Sequence, residues 1–87
     1  MTPKPSPFAT VFGSDVDRDG VFLELSRRTD HGTEVLLEAF RSDRDRSVTI
    51  TAYGDFELPL SVIEQFLHDV RVRLVNGSQA GSSAPPA

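Results

Sequence analysis

The sequence contains no cysteine and no tryptophan among its 87 residues. Without thiols there is no disulfide framework, no thiolate metal site and no thiol nucleophile. No apolar run exceeds three residues, far short of the roughly 20 that a membrane-spanning helix needs. A basic segment leading into an apolar one is also lacking, so no secretory signal is expected and the expected location is the cytoplasm. Lysine occurs once, as Lys4, and the other eight basic residues are arginines. Eight aspartates accompany them, a bias expected of a GC-rich, bacterial gene. The net charge of -4 and a pI near 4.9 argue against nucleic acid as a partner. What is present is globular: 38% hydrophobic and 25% charged residues, enough for one small domain.

Both ends read as unstructured. Residues 1–7, MTPKPSP, place proline at every second position from Pro3, which gives an extended stretch poor in hydrogen-bond donors. Residues 76–87, NGSQAGSSAPPA, carry no large apolar side chain to offset the entropy of ordering. Between them lies a single α+β domain over residues 8–75. Four alternating runs predict strands: a weak one at 8–12, then 21–28, 33–40 and 47–53. The polar linkers at 14–20, 29–32 and 41–46 are short enough for hairpins, so an antiparallel meander is expected. In the register that keeps one face apolar, Leu25 faces Val35, Leu23 faces Leu37 and Val21 faces Ala39. In the next hairpin Ala39 then faces Val48, Leu37 faces Ile50 and Val35 faces Ala52.

A helix follows. Pro59 suits its first turn, and Ser61 with Glu64 fits a capping box. Leu60, Ile63, Leu67, Val70 and Leu74 form one stripe, with Phe66 beside it. Arg71 and Arg73 complement the dipole at the end, and Asn76-Gly77 supplies the stop. The expected architecture is β-β-β-β-α in two layers, with the C-terminal helix on one face of the sheet.

One helix, about 10 Å wide, covers one face of such a sheet and leaves the other open. That second face carries Phe22, Leu36, Phe40 and Tyr53, mixed with Glu24, Glu34, Glu38, Thr49 and Thr51. Exposed aromatic and aliphatic groups rimmed by charge are the composition of an interaction surface. The expected function is therefore a non-enzymatic protein-interaction module. Its contact residues are Phe22, Glu24, Leu36, Glu38, Phe40, Thr51 and Tyr53, and its partner is a second copy, as a homodimer, or another protein. The rival reading is an acidic inhibitor or immunity-type protein that neutralises a basic enzyme, with Asp15, Asp17, Asp19, Asp30 and Asp55 steering the target.

Motifs for chemistry are few. Asp15-Val16-Asp17-Arg18-Asp19-Gly20 resembles the start of a calcium loop, which makes Asp15, Asp17 and Asp19 a third, weak alternative site. Against it, position 12 of that loop is Ser26, both flanks read as strands, and Arg18 puts a cation inside. An Asp/Gly hairpin turn explains the same residues, with Gly20 taking an unusual φ. His31 and His68 have no second ligand at metal spacing, and Ser26, Ser42, Ser47 and Ser61 stand in no nucleophile context. Neither catalysis nor a cofactor is expected.

Overall fold

The computed structural model describes residues 6–76. It is an α+β domain with strands β1 (Phe8–Asp15), β2 (Gly20–Thr29), β3 (Gly32–Ser42) and β4 (Val48–Ala52), followed by helix α1 (Leu60–Val70) and a π-helical turn, Arg71–Asn76. The strands form one antiparallel meander in the order β1-β2-β3-β4. The expected unstructured ends, and the Asn76-Gly77 stop, fall largely outside the described residues.

Leu23, Leu25, Leu37, Ala39 and Ile50 share the expected apolar face, but the register is two residues off and Val35, which pairs with Ser26 beyond the bulge, leaves that face. Leu25 pairs with Leu37, Leu23 with Ala39, Leu37 with Ala52 and Ala39 with Ile50. The β2–β3 turn explains the difference. Thr29 pairs with Gly32 across a two-residue loop, Asp30-His31. The Thr29 hydroxyl donates to the Gly32 carbonyl at 3.0 Å and accepts from the His31 N–H, and Gly32 takes a φ of 122° that favours glycine. Continued up the ladder, this loop would set Leu25 opposite Leu36 and turn β3's apolar residues outward. A bulge between Leu25 and Ser26 absorbs the extra residue and restores the face.

The core lies between the sheet and the helix. Leu23, Leu25 and Ala39 pack with Phe66, Val70 and Leu74. The buried helix stripe is thus Phe66, Val70 and Leu74, with Val62 packed against it. This differs from the sequence pattern, in which Leu60 and Leu67 belong to the stripe: they are 68% and 42% exposed. The expected Ser61–Glu64 capping box does not set the start either. Pro59 is the N-cap residue, no side chain caps it, and its carbonyl accepts from the Val62 N–H at 3.0 Å. At the other end Arg41, buried on β3, donates from Nη1 to the Leu74 carbonyl at 3.2 Å and from Nη2 to Asp43 at 2.8 Å. That contact pins the last turn to the sheet. Arg73 stacks 4.8 Å over the Phe12 ring on the same face.

Candidate functional site

Part of the helix-free face is covered by the chain's own side chains. Phe22 and Phe40 pair across β2 and β3, and each ring lies over a glycine. A Cβ on Gly13 would come within 2.6 Å of the Phe22 ring. A Cβ on Gly20 would come within 2.5 Å of the Phe40 ring and would overlap the Arg41 carbonyl. Gly20 is therefore required by this close approach; the left-handed φ in the turn belongs to Asp19, at 56°.

Arg18 reaches back from the β1–β2 loop over this face. Its guanidinium sits 4.2 Å above the Phe40 ring. Nη1 and Nη2 donate to the two oxygens of Glu38 at 3.2 and 2.8 Å, and Nε donates to Asp15 Oδ2 at 2.5 Å. The Tyr53 hydroxyl donates to Glu38 Oε1 at 3.2 Å. A bidentate arginine–carboxylate pair on a buried glutamate is strong and directional. The Arg18 bonds hold the Glu38 carboxyl below its usual range, outweighing the opposing effect of burial. Glu38 in turn pushes the Arg18 pKa up, ahead of Asp15. Desolvation, followed by the Glu38 charge, pushes the Tyr53 phenol up. The network also offsets a like-charge pairing, since Glu24 lies directly opposite Glu38.

The seven expected contact residues divide accordingly. Tyr53 and Thr51 are exposed, and Phe22, Glu24 and Phe40 are half-buried. Leu36, at the bulge, is only 2% exposed and Glu38 is also buried, so neither offers contact area. Glu34 is paired with Arg27 at 2.6 Å. Val11, opposite Glu24, is an exposed apolar group that the weak alternation of β1 concealed.

The calcium alternative is not supported by the loop. Asp15 Oδ1 accepts the Asp17 and Arg18 backbone N–H groups at 3.1 and 3.2 Å, while Oδ2 takes the Arg18 side chain. This is a self-capped turn with its own cation. Among the described residues, no three His, Cys, Asp or Glu are grouped to hold a metal. His31, in the β2–β3 loop, and His68, on α1, are both exposed.

Exposed apolar side chains also occur on the helix side, among them Ile50 on β4 and Leu60 and Leu67 on α1. A groove of about 280 Å³ between β1 and α1 is lined by Thr10, Leu25, Ser61, Gln65, Phe66 and Asp69, among others. Ser61, Gln65 and Asp69 therefore look toward β1. With Phe66 down, Leu60, Ile63 and Leu67 fall on the flank of the helix opposite Ser61, Gln65 and Asp69. On β4, Ile50 and Ala52 share the helix-side face, because they oppose Ala39 and Leu37. Ile50 is 44% exposed, and Ala52 is exposed beside it. The helix thus presents a polar flank toward β1 and carries its exposed leucines on the other flank. Sequence periodicity identified Leu60 and Leu67 as apolar face residues, but it carried no information on how the rod is rotated.

Among the described residues β4 is also an open edge. The Tyr53 N–H donates to the Leu36 carbonyl and the Ser42 N–H to the Ser47 carbonyl, both at 2.9 Å. In an antiparallel ladder these bonds point the backbone groups of Thr49 and Thr51 at β3 and those of Val48, Ile50 and Ala52 outward. β4 carries no charge, proline or bulge of the kind that blunts exposed edges.

No protein-family model matches the chain, and comparison with curated proteins and with solved structures finds no significant match. No helix among the described residues is long and apolar enough to cross a membrane.

Proposed function

We propose that this chain is a small, non-enzymatic, cytoplasmic protein-interaction module that self-associates, with its contact on the helix-side rim at β4. One observation carries the reading: Leu60, Leu67 and Ile50 are large apolar side chains exposed on the helix side of the sheet, and β4 is its last strand among the described residues. Exposed apolar surface of this kind is characteristic of an interface. The helix-free face is a weaker candidate, because its rings rest on glycines and its central carboxylate is already bonded.

The inhibitor alternative finds less support in the geometry. Asp17 and Asp19 lie at one end of β2 and Asp30 at the other, so these carboxylates form no single patch. Asp15 is committed to Arg18.

Sedimentation of the purified chain across a concentration series tests the proposal. A monomer–dimer equilibrium is expected, with Leu67→Glu shifting it to monomer and Val11→Glu leaving it in place. A chain that stays monomeric throughout, or a dimer lost only on Val11→Glu, overturns the reading.

A further inference from the structure

We infer that the groove between β1 and α1 is a binding site for a small organic ammonium ion, whose apolar body lies on the groove floor and whose cation meets Asp69. The site is separate from the self-association surface, because Leu60 and Leu67 lie on the other flank of the helix. Its floor is apolar, lined by Phe8 from β1, Leu25 from β2, and Val62 and Phe66 from α1. Leu25 and Phe66 are buried, whereas Phe8 and Val62 are half-buried and keep part of their surface open to an occupant. The volume of about 280 Å³ lies at the lower end of the range for small-molecule sites, roughly 300–1,000 Å³, and so suits one ring on a short chain.

Charge selects the class of ligand. Of the residues that line the groove, only Asp69 is charged. It is half-buried, yet it forms no ion pair among the described residues. Arg73, one helical turn on, is stacked over Phe12 instead. Gln65 Nε2 donates to Asp69 Oδ1 at 2.9 Å, which orients the carboxylate. Asp69 Oδ2 and the Gln65 amide oxygen are left as acceptors. An ammonium group carries three donors and no acceptor, so it matches a site that offers oxygens and one negative charge. An anion would meet no cation in the groove. The net charge of -4 adds a field of the same sign.

Amide NMR titrations of the wild-type full chain test the site with three probes of one shape: phenethylamine, the neutral phenethyl alcohol and the anion phenylacetate. Phenethylamine is expected to shift the Thr10, Ser61, Gln65 and Asp69 amides saturably. The alcohol is expected to bind there roughly tenfold more weakly, for want of a charge-assisted hydrogen bond, and phenylacetate not at all. Asp69→Asn removes the charge and keeps an oxygen for Gln65, and is expected to lower phenethylamine to the affinity of the alcohol while leaving the alcohol unchanged. Ser61→Trp, at an exposed position on the groove wall, fills the space and is expected to abolish binding of both. Equal affinity of the wild type for amine and alcohol, or amine binding that survives Asp69→Asn, would overturn the inference. So would shifts that never saturate or that fall on residues away from the groove.

Discussion

Glu38 shows how a single residue can be placed correctly by sequence and misjudged in role. Alternation along β3 put it on the helix-free face, and it lies there, opposite Glu24 and Thr51. Arg18 is twenty positions earlier, in a loop, and no periodicity links the two. The bidentate contact converts what reads as a solvated carboxylate into a buried, bonded one. Its pH dependence has a definite sign. The carboxyl is held below its usual range in the folded state, so as pH drops the unfolded chain binds the proton first. The stabilisation is complete above the ordinary glutamate pKa of about 4.3 and is lost as pH falls through the depressed folded value. Urea unfolding of the wild type should therefore weaken between about pH 6 and pH 3, and Glu38→Gln should flatten that profile. An unchanged profile would mean that Asp15 and Asp45, also held low, account for the acid sensitivity.

Among the secondary-structure elements, those with strict alternation were legible and those depending on chain direction were less so. The faces of β2, β3 and β4 followed from Val21, Leu23, Leu25, Leu37, Ala39 and Ile50. The register did not, because the two-residue turn at Asp30-His31 and the bulge at Leu36 are set by local backbone chemistry that hydrophobic pattern cannot see. The helix was found for the right reason, yet its buried line is shifted by about one position. The stripe read from sequence included Leu67, whereas Phe66 is the residue at the centre of the core. A broad apolar arc permits several rotations, and the small Ala39 beneath it, together with the Arg41 contact at Leu74, selects one. At dilutions where the chain is monomeric, Phe66→Ala should cost about 3–5 kcal/mol and Leu67→Ala less than about 1 kcal/mol. Chemical denaturation of the two variants compares them, and equal losses would contradict the rotation described.

At the scale of the whole molecule the question is how one helix stabilises four strands. Among the described residues the buried apolar set is small, comprising Leu23, Leu25, Ala39, Phe66, Val70 and Leu74 under the helix and Leu36 beyond it. A domain of this size sits near the limit at which a lone core suffices. Burying Ile50, Leu60 and Leu67 against a second copy would add apolar area to that core, since all three are exposed in the monomer. Folding and association are then linked, and stability must depend on protein concentration. Each tenfold increase in concentration contributes about 1.4 kcal/mol to a folded dimer unfolding to two chains. With a slope of about 1 kcal/mol per molar urea for each subunit, the midpoint should rise by roughly 0.7 M per decade. Leu67→Glu should remove that dependence, because it places a charge on exposed apolar surface that the second copy would bury. A wild-type midpoint that stays fixed over two decades of concentration would show that the six-residue core and its Arg41 anchor hold the fold without a partner.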